Sequence, residues 1–260
     1  MPYVLNGTVK LYYEVEGDGP PVILHTGAGG AGSMWREGGY VQGLAGFQRI
    51  LFDHRGHGHS DTPKTLEDYR MEHYIADVVA LLDALELARA AYWGYSDGAQ
   101  VGYALAAAYP NRIIALVASG AIGDADRTTP AERVSASELA QHVQAEGMAA
   151  IVHDYESAGQ PMTPWFRKQM LETNSEAFAR EVLAWTEWNG PWAVLSQITC
   201  PALLLVGERE DPDGATARAA ALMSHARCVT LPRLDHITAY EHSELALTHA
   251  MPFLLGLQWD

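Results

Sequence analysis

Cysteine, positive charge and long apolar runs are all scarce in this 260-residue chain. Two cysteines, Cys200 and Cys228, are too few for a disulfide framework, and the chain has no CxxC pair of the kind that binds zinc. No run of about 18 apolar residues is present to cross a bilayer, and the first residues lack the basic start and apolar stretch of a secretion signal. We therefore expect a cytoplasmic protein with free thiols.

The shortage of positive charge limits the partners. Lysine and arginine number 17 against 32 aspartates and glutamates, which gives a formal net charge of −15. A field of this sign repels phosphate backbones and anionic lipid headgroups. Nucleic acids and membranes are therefore not expected partners, and a small molecule is. The composition is 48% hydrophobic and suits one globular domain, but it does not indicate an oligomeric state.

Short apolar runs alternate with helical patterns through most of the chain. This alternation predicts an α/β fold with a mostly parallel central sheet and helices on both faces. Strands are expected at Val9–Glu16, Val22–His25, Ile50–Asp53, Ala91–Tyr95, Ile113–Ser119, Ala202–Gly207 and Arg227–Leu231. Helices are expected at Tyr74–Leu87, Gly98–Tyr109, Ala215–Ser224 and Ser243–Leu255.

The pattern changes between residues 123 and 197. Helical periodicity, as in Glu132–Ala149 and Pro164–Leu171, continues there without a strand candidate. We interpret residues 123–197 as a helical cap inserted into a core formed by residues 1–122 and 198–260.

A possible nucleophile lies where a predicted strand meets a predicted helix. The segment from Gly94 to Gly98 matches G-x-S-x-G, with Ser96 at its centre. An apolar strand precedes it and a helix of small residues follows, which is the strand-turn-helix setting that exposes a serine hydroxyl. The alternative is an ordinary turn serine at the start of a helix.

A serine nucleophile needs a histidine base and a carboxylate that orients the histidine. His236 follows the last predicted strand, in the sequence LPRLDHITAY. The loop GEREDPDG after Ala202–Gly207 offers four carboxylates, of which we prefer Asp211, with Glu210 as the alternative. The chain order serine, acid, histidine is typical of one group of serine hydrolases.

Together with the G-x-S-x-G segment, LHTGAGGAGSMW, DHRGHGHSD, the acidic loop and LDH at His236 resemble the α/β-hydrolase superfamily over nearly the whole chain. The resemblance implies the α/β-hydrolase fold and a Ser-His-Asp triad, with no metal or organic cofactor. Two departures stand out. The family's acidic loop reads Gly-x-x-Asp, whereas Glu210 lies three residues after Gly207 and Asp211 is one position late. The family's His-Gly oxyanion segment is His25-Thr26 here.

The oxyanion hole is expected to use backbone N–H groups. The first should be that of Asp97, because it follows the nucleophile at a helix N-terminus, and the second should come from Gly27 or Ala28. The Asp97 carboxylate either favours the helix start or pairs with an ammonium group of the substrate.

The expected reaction is hydrolysis of a small, apolar carboxylic ester or lactone through an acyl-enzyme. Perhydrolases, carbon–carbon bond hydrolases and slow hydrolase-like ligand receptors share the fold and remain alternatives. Serine at the nucleophile position argues against epoxide hydrolases and haloalkane dehalogenases.

Three histidines, His54, His57 and His59, lie close together in DHRGHGHS. Imidazoles at short spacing are common metal ligands. However, a loop broken by glycine is not expected to bring the rings together, so we predict a structural loop, with Asp53 and Arg55 as scaffold rather than catalytic residues.

The predicted cap is rich in tryptophan. Its aromatic and sulfur side chains either pack the cap against the core or line an apolar substrate pocket. Helical spacing places three of the tryptophans on one face. The candidate substrate-binding residues are Trp165, Trp185, Trp188, Trp192 and Met162.

Overall fold

A computed structural model describes residues 2–120, 122 and 130–259. Within these residues one sheet has the strand order β1-β2-β4-β3-β5-β6-β7-β8. The strands are β1 Tyr3–Asn6, β2 Val9–Glu16, β3 Pro21–His25, β4 Gln48–Phe52, β5 Ala90–Tyr95, β6 Ile113–Ser119, β7 Ala202–Gly207 and β8 Ala226–Leu231. β2 pairs antiparallel with β1 and β4, and β3 to β8 are parallel. The predicted α/β class and mostly parallel sheet are confirmed.

The α-helices of the described residues are numbered in chain order. They are α1 Ser33–Glu37, α2 Tyr40–Gly43, α3 Met71–Ala84, α4 Asp97–Ala108, α5 Pro130–Glu146, α6 Met148–Ser157, α7 Pro164–Glu172, α8 Ser175–Ala184, α9 Ala215–Ala221, α10 His236–Glu241 and α11 Ser243–Leu255. Single-turn 3₁₀ helices occur at Glu67–Tyr69, Trp185–Glu187, Pro191–Ala193 and Leu195–Gln197. No helix in the described part of the chain is long and apolar enough to cross a membrane.

The central strands are apolar because both of their faces are covered. Every residue of β5 and β7 is buried, as expected for parallel strands with helices on both sides. One face carries a core that includes Tyr92 and Leu116, and the other carries Trp35 and Trp93. Cys200 and Cys228 are free thiols.

The chain between β6 and β7 is helical in its described part. Helices α5 to α8 share a small apolar core that includes Met148, Met170 and Phe178. The predicted helix Glu132–Ala149 is two helices, because Gly147 adopts a left-handed φ of 73° between them. The predicted start of the cap at residue 123 lies outside the described residues. We refer to residues 130–197 as the inserted helical segment.

Candidate active site

Ser96 lies at a sharp turn between β5 and α4. Its φ of 55° and ψ of −120° are unusual for a residue with a side chain, as in the strained turn that presents a serine nucleophile. The flanking glycines allow this turn. A Cβ at Gly94 would lie 2.3 Å from the Gly98 carbonyl oxygen, and a Cβ at Gly98 would lie 2.3 Å from the His25 carbonyl oxygen. The backbone therefore approaches itself where only glycine fits.

His236 is brought to Ser96 by the fold. It is the first residue of α10, whose start is fixed by a capping box between Asp235 and Thr238. Its Nε2 lies 3.0 Å from Ser96 Oγ. The hydroxyl of Tyr95 donates a hydrogen bond to the His236 carbonyl oxygen and so connects the turn at Ser96 directly to the histidine. The sequence analysis did not identify this role of Tyr95.

Glu210, rather than Asp211, contacts the other ring nitrogen. Glu210 Oε1 is hydrogen-bonded to His236 Nδ1. The structure therefore places the alternative, Glu210, and not the preferred Asp211, in contact with His236. Asp211 instead accepts hydrogen bonds from the backbone N–H groups of Ala215 and Thr216, at 2.8 and 2.9 Å, and so caps α9. Glu210 occupies the position three residues after Gly207 where the family pattern has aspartate.

The protonation of His236 is set by opposing effects. Burial by itself would lower the pKa of its imidazole, but the charge of Glu210 and the hydrogen bond to it raise that pKa above its ordinary value. The negative charges of Asp97 and Asp235 act in the same direction. This environment stabilises the imidazolium that forms when a histidine takes a proton from serine.

The predicted oxyanion segment lies beside the serine. A Cβ at Gly27 would be 2.6 Å from Ser96 Cβ, so the backbone after β3 touches the turn. Gly27, Ala28 and Asp97 all border the cavity above Ser96. The three residues predicted for the oxyanion hole thus lie around the candidate nucleophile.

The segment that contains Gly27 and Ala28 is held in place from several sides. The Gly29 N–H donates to His57 Nε2 at 3.0 Å, and the Thr173 hydroxyl donates to the Gly29 carbonyl at 2.7 Å. The Gly32 N–H donates to Asp53 Oδ1 at 2.6 Å. These contacts agree with the prediction that the DHRGHGHS loop is scaffold.

The histidines of this loop converge more closely than expected. The ring centroids of His54 and His57 are 3.9 Å apart, and both rings lie near the carboxylate of Glu181, contrary to the expectation that the loop keeps them apart. His57 nevertheless has no lone pair left for a metal. Its Nε2 accepts from Gly29, and its Nδ1, 3.2 Å from the Arg55 carbonyl oxygen, must donate.

Burial keeps these histidines neutral. It lowers the pKa of His54 to about 3 and that of His57 to about 4. His59 points away from the pair, with its side chain 70% exposed, and lies 3.4 Å from Asp53. Arg55 is buried and hydrogen-bonded through Nε to Asp77 at 2.7 Å, which is a scaffold role.

A cavity of about 510 Å³ lies over Ser96, between the sheet and the inserted helical segment. Most of its lining is apolar and includes Met34, Met170 and Phe178. Of the predicted substrate-binding residues, Met162 and Trp185 border it.

The remaining candidates lie elsewhere. Trp188 and Trp192 pack against the core on one face of the sheet, and Trp165 contacts Phe166 and Tyr240 at ring distances of 5.6 and 6.2 Å. Trp185, Trp188 and Trp192 do not share a helix face, because α8 ends at Ala184, Trp188 has an extended backbone and Gly190 has a left-handed φ of 77°. Trp188 and Trp192 therefore fit the packing alternative, whereas Trp185 is part of the same core and also borders the cavity.

Among the polar residues of the lining that the sequence analysis missed are Thr26 and Gln100. Gln100 follows Ser96 by four residues, and this spacing on a helix was the available signal, since it places both residues on one face.

Known proteins share this architecture. One relative is the 3-oxoadipate enol-lactonase 2 of Acinetobacter baylyi, 29% identical, with 94% of this chain and 92% of that protein covered. A second is the putative carbamate hydrolase RutD of Caulobacter sp. strain K31, 42% identical, but the match spans only 43% of this chain and 43% of that protein. A crystal structure of the enol-lactonase from Burkholderia xenovorans LB400 superposes with a TM-score of 0.80 at 25% identity, covering 98% of this chain and 100% of that one. A model of the alpha/beta hydrolase fold family matches residues 20–243. The chain therefore belongs to the α/β-hydrolase fold family.

Proposed function

We propose that this protein is a serine hydrolase that cleaves a carboxylic ester or lactone of a small molecule through an acyl-enzyme. The observation that carries this proposal is the continuous contact from Ser96 to His236 to Glu210 beneath a mostly apolar cavity. The enol-lactonase relatives support the ester or lactone class. No cofactor is needed for this chemistry.

In the first half of the reaction, Ser96 Oγ attacks the carbonyl carbon while His236 Nε2 takes its proton. The distance of 3.0 Å between these atoms suits that transfer. The carbonyl oxygen becomes an oxyanion, which the backbone N–H of Asp97 and that of Gly27 or Ala28 would stabilise. His236 then gives its proton to the leaving alkoxide, and the acyl group stays on Ser96.

In the second half, His236 takes a proton from water, the resulting hydroxide attacks the acyl carbon, and the protonated His236 returns the proton to Ser96 Oγ. Glu210 acts through His236 in both halves. It fixes the tautomer with the proton on Nδ1 and stabilises the imidazolium in each transition state.

The inserted helical segment would act as the predicted cap. Residues of this segment, including Ile151 on α6, Phe178 on α8 and Met162 in the connection between α6 and α7, border the cavity. A cavity of about 510 Å³ with this lining suits a small, largely apolar substrate.

Turnover of p-nitrophenyl esters from acetyl to octanoyl tests the proposal. We expect multiple turnover by the wild type, its loss in Ser96→Ala, and unchanged rates in the control Ser157→Ala, which removes an exposed hydroxyl on α6. Trapping of the acyl-enzyme on Ser96 by mass spectrometry would support the covalent step. No turnover, or turnover that survives Ser96→Ala, would refute the proposal and favour the slow-turnover receptor.

A further inference from the structure

The side chain of Gln100 ends in a buried amide group whose oxygen has no hydrogen-bond partner among the described residues. It lies on α4 with 4% of its surface exposed. Its Oε1 is enclosed and unpaired, and no hydrogen bond of its Nε2 occurs within the described residues. Buried amides are normally paired, because leaving them unpaired destabilises the fold. An unpaired one therefore needs an explanation.

The position of Gln100 provides one. It borders the cavity, four residues and about one helical turn after Ser96. Thr26, at the start of the oxyanion segment, borders the same cavity, is 2% exposed, and has an unpaired hydroxyl oxygen. Within the described residues, those of this otherwise mostly apolar lining that carry a buried polar atom without a partner thus include Gln100, Thr26 and, through its hydroxyl, Tyr240. Gln100 and Thr26 are the two that lie close to Ser96 in the elements around it, on α4 and directly after β3.

The charge around the cavity determines which ligand group fits. The carboxylate of Asp97 also belongs to a residue of the lining, and its negative charge acts on both His236 and Tyr155. The negative charge of Asp97 would repel a carboxylate on the ligand. A hydroxyl or keto oxygen carries no charge and can accept from an amide N–H, and a hydroxyl can also donate to an amide oxygen.

We propose that Gln100, together with Thr26, forms a polar subsite for a neutral hydroxyl or keto oxygen on the acyl group of the substrate. That the ligand is an acyl group rests on the proposed function. A few polar groups in an apolar pocket fix the orientation of a ligand. The subsite would place the substrate carbonyl against Ser96.

Affinity for intact esters tests the subsite separately from hydrolysis. Calorimetric titration of Ser96→Ala with ethyl 3-hydroxybutanoate and ethyl 3-methylbutanoate compares a hydroxyl with a methyl group of similar size. Ethyl 4-oxopentanoate and ethyl 4-methylpentanoate form a second pair, with the oxygen one carbon further along. We expect the oxygenated member of at least one pair to bind about three- to tenfold more tightly, as one net hydrogen bond provides.

Two substitutions in the Ser96→Ala protein assign that preference. Gln100→Met keeps the side-chain length and removes the amide, and Thr26→Val removes the hydroxyl and keeps the shape. We expect the first to abolish the preference and the second to weaken it. The control Thr216→Val removes another buried, unpaired hydroxyl, which does not border the cavity, and should leave the preference unchanged.

The outcomes separate the subsite from the reaction. Equal affinities within both pairs, no binding of any of the four esters, or a preference that Gln100→Met leaves intact would overturn the subsite. If Gln100→Met does not fold, a preference undiminished in Thr26→Val would overturn it as well. Failure of the proposed hydrolysis would appear instead as absent turnover by the wild type, which does not alter binding to Ser96→Ala.

Discussion

Replacing Glu210 with glutamine tests the assignment of the acid most directly. Glu210→Gln keeps the size of the side chain and an oxygen that can accept from His236 Nδ1, but it removes the negative charge. With an effective dielectric constant of about 20, two unit charges about 4 Å apart attract by about 4 kcal/mol, which corresponds to about 10³ in rate if the full attraction develops in the transition state. A wrong tautomer would increase the loss to about 10⁴.

Asp211→Asn is the matched control, because it removes a neighbouring charge that caps α9 instead of contacting the histidine. We expect its kcat to stay within a few-fold of the wild type and its stability to fall by about 1 kcal/mol or less. The assay is kcat for the best p-nitrophenyl ester, with thermal unfolding measured for both variants. A large loss of kcat in Asp211→Asn with near-normal turnover by Glu210→Gln would refute the reasoning.

Further predictions concern pH, stability and positioning. Because the pKa of His236 is raised, kcat/KM should fall as the pH decreases, with the midpoint of the fall above pH 6.5. Glu210→Gln should move that midpoint to lower pH, and a wild-type midpoint below pH 6.5 would contradict the prediction. Tyr95→Phe removes the hydrogen bond to the His236 carbonyl, so we expect kcat to fall about tenfold with little change in KM, and an unchanged kcat would exclude this positioning role. His57 is protonated near pH 6.5 when unfolded but only near pH 4 when folded, so the free energy of unfolding should decrease as pH falls between these values, by about 1.4 kcal/mol per pH unit from this residue. Urea unfolding of the wild type and of His57→Gln should show a shallower pH slope in the variant, and equal slopes would contradict the assignment.

The sequence determined much of the sheet. β2, β6 and β7 have the predicted boundaries, and β3 begins one residue earlier than predicted. Strands buried on both faces are unbroken apolar runs, and this signal is local. The short edge strand β1 was missed, since its four residues form no strong pattern. Helix α8 lies in the region that was predicted to be helical, but its boundaries were not predicted.

The same local signals located Ser96 and His236. A strand that runs into G-x-S-x-G and then into a helix of small residues determines where the serine lies, whatever the rest of the chain does. The histidine was found by its place after the last strand and by its chain order. Both residues meet in the structure with Nε2 and Oγ 3.0 Å apart.

Only the tertiary structure showed that Glu210, and not Asp211, contacts His236. Only the tertiary structure showed that the rings of His54 and His57 converge. Adjacent carboxylates in one loop differ only in the direction of their side chains, and that direction depends on how the loop packs between β7 and α9. Likewise, the two rings meet because strands and helices distant in sequence enclose their loop. The sequence by itself determined which chemical groups are present and on which elements they lie. The tertiary structure determined which of them touch, because side-chain direction and burial are set by contacts between residues far apart in the chain.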